Sequence, residues 1–416
     1  MNLAILGYGV VGSGVAELLS KNSGSITARS TQPAMQLKYI LDIRQFSGDV
    51  FEHLIIHDFQ VILNDPSVGI VAECMGGLQP AYDYVMACLR AGKSVVSSNK
   101  ELVAARGHEL MQAAKEYNVN FLFEASVGGG IPVIRPLSQC LAGNEICEVA
   151  GILNGTTNFI LTRMIEDNMD FAQALGLAQA HGYAEADPTA DIEGHDACRK
   201  ICILATLAYG RHVYPEQVRT EGISGLALED VAYAAAFGHN IKLLARAQKR
   251  DDDDRISVVV APMLVPQKHM IAAVNDVYNA ILIRGDAVED VLFYGRGAGK
   301  FPTASAVVAD IIDCAKHTER RRFFDWETND PAFVAPAEEE CTRLYVRLTA
   351  QDPAAARSAI DAAFADAQYL TVEGAASNKL AFITGYVQDG QGRARLSALP
   401  GVLIETVLRV AEFQEC

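Results

Sequence analysis

The chain has 416 residues, of which 50% are hydrophobic and 21% charged, a balance typical of a well-packed globular protein. This length exceeds what one hydrophobic core normally spans, so we expect two or three domains. The formal net charge of −16 argues against nucleic acid or an anionic membrane surface as a partner. No run approaches the roughly 18 apolar residues of a membrane span, and the N-terminus lacks the basic flank of a signal peptide. A cytoplasmic protein is therefore expected.

The first predicted strand, Leu3–Leu6, runs into a glycine turn and then a helical pattern through Leu19. The turn reads Gly7-Tyr8-Gly9-Val10-Val11-Gly12, which matches Gly-x-Gly-x-x-Gly. In this motif the first glycine permits a tight turn, the second lets the backbone approach a pyrophosphate, and the third lets helix and strand pack closely. The strand–turn–helix context predicts a dinucleotide site in a Rossmann-type domain.

An acidic residue is expected at the end of the second strand of such a domain, and Asp42 is the candidate. It lies later than the usual spacing of about 20 residues, which implies an inserted loop or a longer helix between Ser20 and Gln36. Asp42 favours a free ribose hydroxyl and NAD, whereas Arg44 could accept the phosphate of NADP. The sequence leaves both cofactors open.

Two further strand ends belong to the same predicted sheet. Gly76 follows one buried-type strand, and Lys100 follows another just before a helix. Ligands in open parallel sheets bind at the carboxyl ends of the strands. A lysine at a helix start opposes the helix dipole, so a functional role for Lys100 is favoured over a surface role.

The middle of the chain carries two candidate ligand segments. Glu124 precedes three consecutive glycines, Gly128 to Gly130; exposed carbonyls with one carboxylate suit a hard cation, although a plain tight turn fits the spacing equally. Farther on, Gly155-Thr156-Thr157-Asn158 opens a predicted helix. Its polar side chains could cap that helix, or with free N–H groups could hold a substrate carboxylate.

The stretch from Gly182 to Lys200 is the richest in chemistry. It holds five carboxylates within twelve residues, and a helical pattern follows through Tyr209. If the helix begins near Gly194, Asp196 and Lys200 lie four residues apart on one face. A lysine beside a carboxylate can protonate a small polar substrate. The alternative is an ordinary helical ion pair beside a solvated acidic loop.

The later elements are predicted from periodicity and turn residues. Asp251 to Asp254 indicates a solvated hairpin tip in preference to a cation site. The predicted elements are a helix (Leu226–Gln248), strands (Ile256–Val260, Asn275–Gly285, Glu289–Tyr294) and a long helix (Phe301–His317). After a linker come a strand (Thr342–Thr349), a helix (Pro353–Ala367), strands (Tyr369–Glu373 and Leu380–Gln388) and a helix (Val402–Val410).

Together the motifs resemble one family, the homoserine dehydrogenases, over residues 1 to about 320. The resemblance rests on the glycine turn, Ser98-Asn99-Lys100, Glu124 to Pro132, Gly155 to Asn158, Gly182 to Lys200, and Gly295 to Thr303. It implies reversible reduction of aspartate 4-semialdehyde to homoserine with NAD or NADP, in threonine and methionine biosynthesis. Rival hypotheses are a dehydrogenase of another small amino-acid aldehyde and a non-catalytic amino-acid sensor that keeps the nucleotide fold.

The resemblance also implies roles for individual residues. Lys200 is the implied general acid/base, Asp196 orients the substrate, and Lys100 is shared by cofactor and substrate. The implied substrate-binding residues are Glu185, which receives the ammonium group, with Asp191, Gly155, Thr156 and Tyr183. The implied cofactor-binding residues are Gly7, Gly9, Val10, Val11, Gly12, Asp42, Arg44, Gly76, Lys100 and Gly299. A sodium site made largely of backbone carbonyls is implied at Glu124, Val127, Gly129 and Ile131.

The expected fold class is therefore α/β with three parts. They are a Rossmann-type domain (1–135, completed by a helix at 300–320), an α+β substrate and dimerisation domain with a mixed sheet (136–299), and, after a linker (321–340), a ferredoxin-like domain (341–416). The last part resembles an ACT amino-acid sensor. Its first turn reads Asp352-Pro353 where such domains commonly carry Pro-Gly, so a threonine effector stays open. A homodimer or homotetramer is expected.

Overall fold

The computed structural model describes residues 1–29, 35–250, 253–318, 324, 327–328 and 331–413. The predicted linker 321–340, the aspartate run 251–254 and the insertion before residue 36 lie partly outside them. The chain forms two compact units. The first unit comprises Met1–Asn144, Cys202–Pro215 and Phe293–Asn329, and the second comprises Glu145–Ile201, Glu216–Leu292 and Asp330–Cys416. Across the described ranges, no helix is long and apolar enough to cross a bilayer.

The first unit contains a six-stranded parallel sheet in the order β3-β2-β1-β4-β5-β6. Its elements are β1 (Asn2–Leu6), α1 (Val10–Lys21), α2 (Ser23–Arg29), β2 (Gln36–Leu41), β3 (Ile55–Ile56), α3 (Phe59–Asn64), β4 (Val68–Glu73), α4 (Ala81–Arg90), β5 (Ser94–Ser97), α5 (Lys100–Glu116) and β6 (Phe121–Leu122). This strand order is the one of Rossmann folds, in which the order reverses between the first and fourth strands. The predicted Rossmann-type sheet is confirmed.

The second unit is built on a mixed sheet, to which both its central part and its C-terminal part contribute strands. The central elements in chain order are β7 (Ile146–Ile152), α6 (Gly155–Glu166), α7 (Phe171–Ala180), α8 (Thr189–Ile192), α9 (His195–Tyr209), β8 (Arg219–Thr220), α10 (Leu228–Ala236), β9 (His239–Lys249), β10 (Ile256–Pro266), β11 (Tyr278–Gly285), β12 (Glu289–Arg296) and α11 (Lys300–Lys316). Two of these helices do not belong wholly to the second unit. Helix α9 begins in the second unit and ends in the first, and α11 lies entirely in the first unit.

Helix α11 packs against α1 in the first unit. Ala304, Val307 and Ile311 are buried in the same core cluster as the β1 residues Leu3 and Ile5. The contact is close: a Cβ atom at Gly14 would lie 3.1 Å from Cβ of Ala304. The late helix therefore covers the nucleotide-type sheet although nearly 300 residues separate it from β1 in sequence.

The C-terminal elements are β13 (Val334–Ala335), β14 (Cys341–Thr342), β15 (Leu344–Ala350), α12 (Pro353–Ala363), β16 (Gln368–Leu370), β17 (Lys379–Ile383), β18 (Val387–Gln388), α13 (Asp389–Ser397) and β19 (Val402–Val410). Six of them, β15-α12-β16-β17-α13-β19, form a β-α-β-β-α-β arrangement, which is typical of ferredoxin-like folds. The four main strands lie in the order β19-β15-β17-β16. Strand β19 also pairs in parallel with β10 at Met263 and Arg409, so the two sheets are continuous.

Two predicted helices are wrong. The segment Leu226–Gln248 holds the short helix α10 followed by strand β9, whose eleven residues pair with β10 in full antiparallel register. The segment Val402–Val410 is strand β19, and the second helix of this part is α13, before it. Both strands are held by neighbours on each side, β9 by β7 and β10, and β19 by β10 and β15. In β9, sheet pairing therefore overrides the local helix-forming residues.

Candidate active site

The glycine turn between β1 and α1 has the geometry that a dinucleotide requires. Gly7 has φ of +92°, and a Cβ atom at Gly12 would lie 1.9 Å from the carbonyl oxygen of Gly7. By contrast, a Cβ atom at Gly9 would meet nothing within 4 Å, so the space above the turn is open. Val10 and Val11 begin α1, and no side chain caps its N-terminus. Open helix N–H groups beside such a turn can bind a pyrophosphate.

Asp42 lies directly after β2 and is tied to this turn. Its Oδ2 accepts the N–H of Tyr8 at 2.7 Å. Arg44 folds back onto the same carboxylate, with Nε 3.0 Å from Oδ1 and Nη2 2.9 Å from Oδ2. The hydrogen bonds from Arg44 lower the pKa of Asp42 to about 2. The two candidate cofactor-selecting residues are therefore bonded to each other at the expected edge of the sheet.

Gly76 lies in the loop after β4 with φ of +78°, and the loop is held by Glu73. The carboxylate of Glu73 accepts the N–H groups of Met75 at 2.8 Å and Gly76 at 3.3 Å, and the hydroxyl of Ser97 at 2.6 Å. Burial raises the pKa of Glu73. The sequence prediction missed Glu73; a carboxylate inside an apolar strand was the available signal.

Lys100 is the first residue of α5, immediately after β5. Asn99 caps this helix by accepting the N–H of Leu102 at 3.0 Å, and its amide donates to the carbonyl of Gly77 at 2.6 Å. Lys100 and the Gly76 loop thus lie at the same carboxyl edge of the sheet. Gly299, the other predicted cofactor residue of this unit, caps α11 with φ of +121°.

The segment from Glu124 to Ile131 is buried in the first unit, except for the exposed Gly130. Oε1 of Glu124 accepts the N–H groups of Val133 and Ile134, and Oε2 accepts the N–H of Arg135. Among the described residues, no group of three or more His, Cys, Asp or Glu side chains is placed to hold a metal. The Glu124 carboxylate is therefore occupied by protein donors, and only backbone carbonyls remain as candidate ligands here.

In the second unit, Lys200 and Asp196 form a buried pair on α9. Nζ of Lys200 donates to Asp196 Oδ2 at 2.7 Å and to the carbonyl of Leu153 at 2.6 Å. Lys200 is 7% exposed and Asp196 4%. Gly194 precedes the helix with φ of +80°, close to the predicted start. The lysine ammonium group is thus held from two sides in a defined position.

Asn154 joins this pair to Asp191. Its side-chain amide donates to Asp191 Oδ1 at 2.7 Å and to Asp196 Oδ2 at 2.9 Å. Burial raises the pKa of Asp191, and the nearby Asp196 raises it further. The same side chain caps α6 by accepting the N–H of Thr157 at 2.9 Å. The predicted cap at Thr156, Thr157 or Asn158 was therefore two to four residues too late, and Asn154 was not among the predicted site residues.

The remaining predicted substrate residues are only partly brought together. Thr156 donates its hydroxyl to the carbonyl of Tyr183 at 2.7 Å, which joins the start of α6 to the acidic loop. Gly155 packs so closely that a Cβ atom there would lie 2.8 Å from the Val277 carbonyl oxygen. The Glu185 side chain is exposed, and it makes no hydrogen bond or ion pair with any residue that the structure describes.

A Rossmann-type sheet with an open glycine turn, and a second unit with a buried lysine–carboxylate pair, define an NAD(P)-dependent dehydrogenase. Two family models match the chain. "Homoserine dehydrogenase, NAD binding domain" covers residues 7–124, and "Homoserine dehydrogenase" covers residues 132–312.

Individual relatives agree. A homoserine dehydrogenase from Synechocystis sp. is 40% identical, covering 85% of this chain and 83% of its own. The crystal structure of a homoserine dehydrogenase from Thiobacillus denitrificans has a TM-score of 0.87 at 35% identity, covering 99% and 98%. A hyperthermophilic archaeal homoserine dehydrogenase mutant, solved in complex with NADPH, has a TM-score of 0.63 at 28% identity, covering 75% and 97%.

The chain belongs to the homoserine dehydrogenase family and is an NAD(P)-dependent oxidoreductase of aspartate-family amino-acid biosynthesis. The predicted family, activity and enzyme class are confirmed.

Proposed function

We propose that Lys200 is the general acid/base that interconverts the aldehyde of aspartate 4-semialdehyde and the hydroxyl of homoserine. The observation that carries this role is the position of Lys200 Nζ, held between Asp196 Oδ2 at 2.7 Å and the Leu153 carbonyl at 2.6 Å. Reduction of an aldehyde by a nicotinamide, which supplies the hydride, creates negative charge on the oxygen. An ammonium donor positioned in advance stabilises that charge and delivers the proton. In the reverse direction the lysine takes the hydroxyl proton.

The other predicted roles rest on position. Asp196 directs the Lys200 ammonium group, and Asn154 keeps Asp196 in place. Glu185 receives the substrate ammonium, because its carboxylate is exposed and uncommitted, whereas Asp191 is already bonded to Asn154. Lys100, at the carboxyl edge of the nucleotide sheet, serves cofactor and substrate. Replacing Glu185 by Gln should raise the KM for homoserine with little change in kcat; an unchanged KM would assign the ammonium group to another carboxylate.

The cofactor is a nicotinamide dinucleotide bound at Gly7–Gly12, with Asp42 and Arg44 selecting between NAD and NADP. The test of activity is nicotinamide absorbance with purified protein and homoserine, with NAD and NADP in parallel. Turnover with either cofactor supports the reaction, and the ratio of the two kcat/KM values gives the preference. Absence of turnover from folded protein with both cofactors would contradict it.

Sodium is the candidate cation of the Glu124–Ile131 segment. Val127 and Ile131 are buried, and no donor among the described residues reaches the carbonyl oxygens of Val127, Gly129 or Ile131. Buried carbonyls normally have partners, and a monovalent hard cation is one that fits. The melting temperature measured in sodium chloride should exceed that in choline chloride at equal ionic strength. Equal melting temperatures would remove sodium from the site.

The C-terminal part is proposed to act as an ACT-like module, with threonine as candidate effector. Asp352 already accepts the N–H groups of Ala354 and Ala355 at the start of α12, so an effector carboxylate at this helix end would compete with it. Weak inhibition by threonine is therefore expected in the absorbance assay, and inhibition at low threonine concentration would contradict this.

The active form is proposed to be a homodimer or homotetramer. Strand β12 forms one edge of the eleven-stranded sheet, and the edge of a sheet is a place where a second copy can add a strand. Light scattering on the eluting protein measures the oligomeric state, and a monomer at assay concentration would contradict the proposal. The resemblance also supports a cytoplasmic location, which cell fractionation tests.

A further inference from the structure

We propose that Asn279 is a further substrate-binding residue, whose side-chain amide donates to the carboxylate of the amino-acid substrate at the start of α6. This inference rests on the substrate site proposed above. Asn279 lies on β11 and was not predicted from the sequence. It is 1% exposed, and neither Oδ1 nor Nδ2 has a hydrogen-bond partner among the described residues.

An unpaired buried amide is costly in a folded protein. A buried donor or acceptor without a partner loses its hydrogen bonds to water and gains none in the protein, and Asn279 has one of each. An apolar residue of similar size would avoid this cost, so a buried amide in this state indicates a ligand that completes its hydrogen bonds. By contrast, the side-chain amides of two other buried asparagines nearby, Asn154 and Asn158, donate hydrogen bonds to acceptors in the protein.

The position of Asn279 identifies the ligand group. A Cβ atom at Gly155, the first residue of α6, would lie 3.5 Å from Asn279 Oδ1. The next residue of β11, Ala280, pairs with Ile152, so Asn279 also adjoins Leu153, whose carbonyl holds Lys200. The orphan amide therefore lies beside the segment that joins the proposed acid/base to the helix start.

The start of α6 favours an anion. Asn154 satisfies the N–H of Thr157, and among the described residues no acceptor meets the N–H groups of Gly155 and Thr156. These donors and the positive end of a twelve-residue helix attract a carboxylate. Rotation of the Asn279 amide can present its N–H₂ group to the same anion. The exposed carboxylate of Glu185 suits the ammonium group, so the two ends of the zwitterion have separate partners.

The test replaces Asn279 by Leu, which keeps the branching of the side chain at Cγ and removes both polar atoms. The KM for homoserine should rise roughly 10- to 100-fold, the range of a lost hydrogen bond to a charged group, while kcat changes little. Homoserine amide, which lacks the carboxylate, should show a much smaller rise. The free protein should be as stable as the parent or more stable, because no internal hydrogen bond is lost.

The matched control is Asn120→Leu in the first unit. Asn120 is fully buried, and its amide donates to the His317 carbonyl at 3.1 Å. This variant should lose stability and keep its KM, the opposite pattern. If Asn279→Leu instead loses stability and keeps the parent KM, or affects homoserine and its amide equally, Asn279 does not bind the carboxylate.

If Asn279→Leu fails to fold, a second variant still tests the proposal. Asn279→Asp has nearly the same shape and places a negative charge beside the substrate carboxylate, so its KM for homoserine should rise further than in the Leu variant. An unchanged KM in the folded Asp variant overturns the inference. Turnover of homoserine by the parent protein in the same assay keeps this outcome separate from failure of the proposed reaction.

Discussion

Lys200 and Asp196 lie one turn apart on α9, with Nζ and Oδ2 separated by 2.7 Å. Both side chains are nearly inaccessible to solvent, at 9% and 5% exposure. A buried ion pair of this kind contributes little net stability, since desolvation offsets its attraction. Its value lies in geometry: the carboxylate and the Leu153 carbonyl fix the ammonium group in one orientation.

Replacing Lys200 by Ala should lower kcat roughly 10²- to 10⁴-fold, because the proton donor for the alkoxide is lost. Cofactor affinity should be retained, since the glycine turn is unchanged. Stopped-flow absorbance gives kcat, and nicotinamide fluorescence gives the affinity. Lys249→Ala, at a half-exposed lysine paired with Glu145, is the control and should keep normal turnover. Near-normal turnover in Lys200→Ala would rule out the acid/base role.

Replacing Asn154 by Ala should lower both stability and activity. The variant loses the cap of α6, worth about 1 kcal/mol, and the two donors that hold Asp191 and Asp196. Two adjacent carboxylates without their shared donor repel each other, so Lys200 should lose its fixed orientation and kcat should fall. Thermal unfolding and initial rates measure the two effects.

Asp170→Ala provides the matched control for Asn154→Ala. Asp170 caps α7 by accepting the N–H of Gln173 at 2.8 Å. It should lose a similar increment of stability with no loss of kcat. If both variants keep the parent kcat, Asn154 has only a structural role.

The buried site shows how far the sequence could predict this chemistry. The Asp196–Lys200 pair follows from helical periodicity, because residues four apart share a face. Asn154 and Leu153 complete the same site from about 40 residues away. Their roles depend on how β7 and α6 pack against α9, which no local spacing records. Asn154 had one available signal, its position directly before a Gly-Thr-Thr helix start.

Replacing Arg44 by Ala should shift the cofactor preference toward NAD. In the parent, Arg44 is bonded to Asp42 and is more than half exposed, so it can turn to a 2′-phosphate. Without it, Asp42 is free to accept a ribose hydroxyl and would repel the phosphate. The ratio of kcat/KM for NAD to that for NADP should therefore rise. Asp42→Ala should shift it the other way; the same ratio in both variants would assign selection to other residues.

The pH dependence of stability should contain a contribution from Lys242. Burial lowers the pKa of this lysine to about 8, from 10.5 in the unfolded chain. Between pH 8 and 10.5 the unfolded state holds the proton and the folded state does not, so the free energy of unfolding rises with pH in this window. Across this window, the lowered pKa of Lys242 should raise the free energy of unfolding by on the order of 3 kcal/mol.

Lys242→Met should flatten that rise, and Lys249→Met, at an exposed lysine on the same strand, should not. Urea unfolding at several pH values between 7.5 and 10.5 measures the slope for each protein. Equal slopes in the parent and the Lys242 variant would show that Lys242 keeps an ordinary pKa in the fold.

The errors in predicting the fold have a physical cause. The β9 sequence Lys242-Leu-Leu-Ala-Arg-Ala-Gln-Lys249 is rich in helix formers, and helix propensity is only a weak preference. Strand β9 lies between β7 and β10, where its backbone groups are satisfied by partners remote in sequence. In β19 the β-branched residues Val402, Ile404 and Thr406 did indicate a strand. The glycine turn was predicted well because its requirements are local.

The buried pair of Arg347 and Asp230 should be the strongest single link between the C-terminal sheet and α10. Arg347 donates from Nε to Asp230 Oδ1 at 2.7 Å and from Nη2 to Oδ2 at 3.1 Å. Asp230 also accepts from the hydroxyls of Tyr345 and Thr406 and is fully buried. Removing one partner leaves the other charge buried and uncompensated, which costs about 3–5 kcal/mol.

Arg347→Leu should therefore lower the free energy of unfolding by about this amount. Adding Asp230→Leu should restore part of the loss, because the fully buried charge of Asp230 is then removed, and Glu405, the other partner of Arg347, is partly exposed to solvent. Lys379→Ala breaks a more exposed pair with Glu229 on the same surface and should cost at most about 1 kcal/mol. Urea denaturation of the parent, Arg347→Leu, Asp230→Leu and the double variant gives the coupling energy. If Asp230→Leu lowers the free energy of unfolding by the same amount in the Arg347→Leu background as in the parent, the two residues are not coupled. The C-terminal sheet would then be held to α10 by apolar packing instead.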